Sequence, residues 1–185
     1  DNIEKMKDFK DLEKRIYSDC SNIESTFFET TYTFSINGVD IGVAAMNNSW
    51  LYYPGMEEKG ALLMGTDQVR SAVDKLDGND IKIAVTHYPV QWLREFERND
   101  ISALVYDNFD LIFNGHIHKG KASMEDRIIG GIFRSISPGV LSRNIDGVDE
   151  YENGYKILDI NIEEGTVSLK HRVFSRDRKE FVPDT

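Results

Sequence analysis

The sequence predicts an α/β protein built on a mixed sheet with antiparallel hairpins. Three observations carry this. Strand-like and helix-like stretches interleave through the middle of the chain. Hairpin signatures stand toward both ends, and two short buried-type strands each run into a histidine-bearing loop. The length of 185 residues suits one domain, or a large part of one, able to bury a core without staples.

The elements follow in order. "DNIEKMKDFKDLEKRIY" places Met6, Phe9, Leu12 and Ile16 at helical spacing among charges, an amphipathic helix. It starts at Asp1 without a methionine, already inside the helical pattern, and so reads as a cut rather than a natural beginning. In "TYTFSINGVDIGVAAM", Asn37-Gly38 is the type I′ pair between two strand-like runs, which predicts a β-hairpin. "NNSWLYYPG" is a loop closed by Pro54-Gly55. After Thr66, Val69, Ala72, Val73 and Leu76 fall at helical offsets, and Gly78 stops that helix. "IKIAVTHYP" is a nearly continuous apolar strand ended by Pro89. "QWLREFERNDISALVYDN" reads as one helix or two short ones, with Trp92, Leu93 and Phe96 as a face over the core. "FDLIF" is a second short buried strand. "RIIGGIFRSISPGVL" reads as a glycine-interrupted strand with a Ser-Pro-Gly turn. "GYKILDINIEEGTVSLKHRVF" is a second hairpin, turning at Glu163-Glu164-Gly165.

The balance of 22 Lys and Arg against 32 Asp and Glu gives a net charge of −10. Such a domain gains little from counterion release on a polyphosphate, so non-specific nucleic-acid binding is not expected. An anionic substrate would need local cations, which metal ions supply. No run is apolar enough to span a bilayer and no secretory signal pattern is present. With Cys20 as the single cysteine, a reducing, cytoplasmic setting is expected.

"DLIFNGHIHKG" carries the chemistry. The chain has four histidines, and two stand here one residue apart. An isolated His-x-His is more often an incidental surface pair. Gly115-His116-Ile117-His118 instead follows a buried strand directly, and His87 ends the strand before it. Ligand sites in α/β sheets lie beyond the carboxyl ends of strands, so both loops could face one pocket. Gly115 is expected to let the loop kink. In two-metal hydrolases the ions stand about 3.5–4 Å apart, so one His-x-His can give a ligand to each. His171, in phase with Val167, Leu169 and Val173, is expected to be a core-edge residue of its hairpin. Asn47 and Asn48 could line the substrate pocket or cap a turn. Trp50 is expected in the core. Tyr52 and Tyr53 could stack on a base, packing being the simpler role. Lys119 is expected to be a solvated lysine. Asp107 and Asp110 are expected to face away from the histidines.

"DLIFNGHIHKG", with "IAVTHYPVQWL" before it and "NNSW" and "EEKGALLMGTDQV" in matching order, resembles the C-terminal half of the calcineurin-like metallophosphoesterases. The resemblance covers most of the chain, and Tyr88 stands where members often have a second histidine. It implies half or more of a four-layer α/β/β/α sandwich, with residues 1–185 the C-terminal portion of a single domain. It implies two metal ions, Mn, Fe or Zn, with His87 and His116 on one and His118 on the other. It also implies hydrolysis of a phosphate mono- or diester by a metal-bound hydroxide.

The family's N-terminal motifs, Asp-x-His, Gly-Asp-x-x-Asp and Gly-Asn-His-Asp/Glu, do not occur in this sequence. Three neutral imidazoles cannot hold two dications together without carboxylates, and no Asp or Glu here has the spacing that nominates it. No residue is therefore assigned a catalytic role beyond the metal ligands, and the chain alone is expected to turn over little or nothing. The partners implied are the phosphate ester and the missing N-terminal half or an equivalent chain. The alternative is a non-catalytic interaction or regulatory module that keeps the fold. An amidohydrolase-type barrel is disfavoured, since it typically needs about 250 residues and a repeating strand-helix rhythm.

Overall fold

In a computed structural model the chain is a mixed α/β protein, described over residues 4–116 and 154–183. Helix α1 (Glu4–Ile16) precedes strands β1 (Ile23–Ser25), β2 (Glu29–Ile36) and β3 (Val39–Met46). Then come α2 (Thr66–Lys75), β4 (Ile81–Thr86), a 3-10 turn (Val90–Trp92), α3 (Glu95–Asn108) and β5 (Leu111–Asn114). Strands β6 (Gly154–Asn161), β7 (Thr166–Ser175) and β8 (Glu180–Pro183) follow. The strand expected in "RIIGGIFRSISPGVL" lies outside the described residues.

The first sheet has the order β1-β2-β3-β4-β5. The β2–β3 hairpin is antiparallel, and Asn37 (φ 54°) and Gly38 (φ 81°) both sit in the left-handed region that a type I′ turn requires. Strands β3, β4 and β5 run parallel, joined by the α2 and α3 crossovers. Because side chains alternate, Ala44, Met46, Ala84 and Ile112 point to the helical side. There they join Val69, Ala72, Leu76, Ile101, Val105 and Phe109 in one core. The second sheet, β6-β7-β8, is antiparallel throughout. On β7, His171 is half-buried in step with Val167, Leu169 and Val173.

The other face of the five-stranded sheet carries Tyr32, Phe34 and Ile36 beside Val43, Ile41 and Val39, then Ile83 and Val85. Phe34, Ile36 and Val85 are 42%, 52% and 36% exposed. Helix α1, read from the sequence as an amphipathic helix, covers part of this face. Its polar side meets the sheet: Glu13 accepts from the Thr30 hydroxyl (2.6 Å), the Ser25 hydroxyl (3.0 Å) and Lys10 Nζ (2.5 Å). Phe9, Leu12 and Ile16 are left 61%, 49% and 61% exposed. Between helix and sheet lies a cleft of about 590 Å³ that reaches Asn47, Thr86 and His87. Burial alone would push the Glu13 carboxyl up; the hydrogen bonds from Lys10, Thr30 and Ser25, with the Lys10 charge, bring it below the usual glutamate value.

Around α3 the structure differs from the expected helix face. Leu93 is fully buried, but Phe96 is 72% exposed and forms no face with it. Leu93 lies before the helix, bridged to Leu62, so its direction is set by that bridge and not by helical phase. No helix among the described residues is long and apolar enough to cross a membrane.

Candidate metal centre at the strand ends

Parallel registration decides what the site can contain. Met46, Thr86 and Asn114 are lateral neighbours at the ends of β3, β4 and β5, so the residues that follow emerge together. The Gly115 N–H donates to the Thr86 carbonyl at 3.1 Å, carrying the register one step past the sheet. His87 and His116 meet there, with His116 Nδ1 3.2 Å from His87 Nε2 and the ring centroids 5.1 Å apart. His118 and Lys119 lie outside the described residues.

The kink falls one residue later than expected. His116 has φ 64°, while Gly115 is not left-handed. A Cβ on Gly115 would stand 3.4 Å from His87 Nδ1 and from its carbonyl oxygen, an ordinary contact. It is thus His116 that takes the backbone conformation costly for a side chain.

Three neighbours of His116 were not foreseen. Glu58 Oε2 lies 2.7 Å from His116 Nε2, and Glu58 Oε1 accepts from the Tyr88 hydroxyl at 3.1 Å. The Tyr88 and Trp92 rings stand 4.4 and 5.3 Å from the His116 ring, centroid to centroid. Burial pushes the Tyr88 phenol up to about 12, helped by its hydrogen bond to Glu58 and by the charges of Glu58 and Tyr52. It therefore remains a donor at neutral pH.

The asparagines divide. Asn48 is fully buried, donating from Nδ2 to the Tyr88 carbonyl (2.7 Å) and accepting the Tyr88 N–H on Oδ1 (3.1 Å). Asn47 accepts from the Ser49 N–H and hydroxyl, a turn-forming pattern, while also lining the cleft that reaches His87. Trp50 is half-buried against Phe28, rings 5.5 Å apart. Tyr52 and Tyr53 are 38% and 55% exposed, so packing does not consume them. Asp110 accepts from the Lys82 N–H at 2.8 Å, at the strand end away from the histidines.

The two facing ring nitrogens are at hydrogen-bond distance, a separation that also suits a shared ion. Two nitrogens each about 2.05 Å from a tetrahedral metal stand roughly 3.3 Å apart, close to the 3.2 Å between the rings. Among the described residues no group of three His, Cys, Asp or Glu converges on one point. The pair thus fits as two ligands of one ion, and the described residues do not complete its shell.

No family model and no curated protein matches the chain. Among solved structures it is similar to a hypothetical protein from Thermus thermophilus, with TM-score 0.49 and 10% identity, covering 77% of this chain and 61% of that one. It is also similar to a Staphylococcus aureus protein provisionally named a 5'-nucleotidase and crystallised with alpha-ketoglutarate. There the TM-score is 0.43 at 14% identity, covering 83% of this chain and 29% of that one. The chain thus spans less than two thirds of either protein. Both likenesses are distant.

Proposed function

We propose that the chain is the C-terminal portion of a metallophosphoesterase domain that hydrolyses a phosphate mono- or diester with two metal ions, Mn, Fe or Zn. The observation that supports it most is the approach of His87 and His116 to 3.2 Å from the ends of adjacent parallel strands. His87 and His116 would hold one ion and His118 the other. When bound, the ions supply a hydroxide nucleophile and neutralise phosphoryl oxygens. The chain's own work is positioning. Asn48 holds the end of β4 and hence His87, the Tyr88 and Trp92 rings flank His116, and Asn47 lines the approach. Carboxylate ligands would come from the rest of the domain, which would also cover the apolar sheet face.

Calorimetric titration of the 185-residue chain with zinc or manganese tests this. One weakly held ion is expected, lost in both His87→Ala and His116→Ala. Unchanged binding in both variants would overturn the assignment, and two tightly held ions on the wild-type chain would overturn its status as half a site.

The exposed Phe34, Ile36 and Val85 favour a second reading, an interaction module without chemistry. A generic phosphodiester with manganese separates the two when assayed with the complete protein. Turnover that is lost in His116→Ala and in His118→Ala belongs to the enzyme; none belongs to the module.

A further inference from the structure

Resting on that reading of the site, we infer that Glu58 is a positioning residue, fixing the tautomer and ring plane of His116 so that its Nδ1 lone pair faces the point shared with His87. A carboxylate oxygen can only accept. With Glu58 Oε2 2.7 Å from Nε2, a neutral His116 carries its proton on Nε2 and its lone pair on Nδ1. That nitrogen is the one 3.2 Å from His87 Nε2. The two nitrogens of an imidazole point in diverging directions, so Glu58 stands off the point that Nδ1 faces and orients the ring instead of sharing its ligand. A histidine ligand commonly gives its other N–H to a carboxylate in this way, which fixes the ring and raises its basicity.

Glu58 is itself held in place. Its second oxygen accepts from the Tyr88 hydroxyl at 3.1 Å. The Gly60 N–H donates to the Trp92 carbonyl at 2.8 Å, and the buried Leu62 bridges to the buried Leu93. The carboxylate is thus tied by its own loop to the segment whose Trp92 ring flanks His116. An acceptor held at both its side chain and its backbone needs no rearrangement when the ring is used.

The test begins without metal. In the 185-residue chain with nitrogen-15 histidine, long-range proton–nitrogen spectra above the imidazole titration report the tautomer of His116, assigned with His116→Gln. The wild type is expected to hold the proton on Nε2. Glu58→Ala is expected to give mixed tautomers and to weaken zinc binding by about 10–100-fold. Glu58→Gln keeps an acceptor oxygen and a second hydrogen-bonding end for Tyr88, and is expected to restore the tautomer and most of the affinity. Melting curves confirm that both variants are folded. An unchanged tautomer in Glu58→Ala overturns the inference, and so does a folded Glu58→Gln that behaves like Glu58→Ala. If the wild type binds no zinc, the phosphoesterase reading fails, while the tautomer still decides what Glu58 does.

Discussion

Asn48 offers the sharpest test of how the site is built, because its two possible roles predict different measurements. As a pocket residue its loss would alter substrate binding. As a brace its loss should alter stability. In Asn48→Ala two hydrogen bonds disappear, one to the Tyr88 carbonyl and one from the Tyr88 N–H. The carbonyl keeps a partner, since the Thr86 hydroxyl donates to it at 2.9 Å. The N–H belongs to a residue only 3% exposed, and none of its described contacts replaces the lost one. A lost bond costs about 1 kcal/mol and a stranded buried donor about 1–3 kcal/mol, so the total is about 2–4 kcal/mol. For a chain of this length that lowers the melting temperature by on the order of 10 °C. Thermal and urea denaturation followed by circular dichroism measure it. Asn48→Asp should be worse, because it sets a carboxylate oxygen against the Tyr88 carbonyl. A melting temperature for Asn48→Ala within about 2 °C of wild type, on the same scale of about 2–4 °C per kcal/mol, would refute the bracing argument.

Other perturbations follow from single contacts. Glu97, 7% exposed, accepts from the N–H of Met64 (2.7 Å) and of Gly65 (3.1 Å), so Glu97→Ala should cost about 2–4 kcal/mol in urea unfolding. Two glycines should separate by the same assay. An added Cβ at Gly42 meets Leu76 Cδ2 at 2.9 Å inside the core, costing about 1–3 kcal/mol. At Gly115 the nearest atoms stand at 3.4 Å, so Gly115→Ala should cost less than about 1 kcal/mol. Tyr88 makes alkaline stability diagnostic. Its folded pKa is raised to about 12 from 10.0, so between those values the unfolded chain releases a proton that the folded chain keeps. Its contribution is complete below pH 10.0 and is lost as pH rises to about 12; Tyr88→Phe should flatten that part of the pH–stability curve.

What the sequence disclosed about the fold depended on whether side-chain pattern or backbone pairing set each element. The Asn37-Gly38 turn was legible because its two left-handed residues restrict the amino acids that fit. The parallel strands were legible as apolar runs because both of their sides are apolar, Ala84 and Ile112 toward the helices and Ile83 and Val85 on the other face. Strands β1 and β8 were not, since each is short and held by backbone pairing, which leaves no side-chain signature. Helix α1 was legible as an element but not in its docking. Its periodicity correctly marked a helix, yet periodicity does not say which side meets the protein. The hydroxyls of Ser25 and Thr30 with Lys10 drew Glu13 against the sheet, while Phe9, Leu12 and Ile16 line the open cleft beside it and stay largely exposed.

The site divides along the same line. His87 and His116 could be read because strand ends in a parallel sheet converge by topology alone, whatever loops follow. Their supports were legible only in part, Asn48 as a pocket or turn residue and Glu58 not at all, because both come from the long connection between β3 and α2. Asn48 opens that connection and holds the end of β4. Glu58, farther on, holds His116. Its position depends on the Gly60 bond to Trp92 and the Leu62 bridge to Leu93, neither of which has a periodic signature. One loop therefore secures two histidines that belong to different strands. Loosening it at the fully buried Leu62 should disturb the Glu58 side first, since Asn48 keeps its own bonds to Tyr88. The two rings would then lose their mutual alignment while the sheet that carries them stays intact.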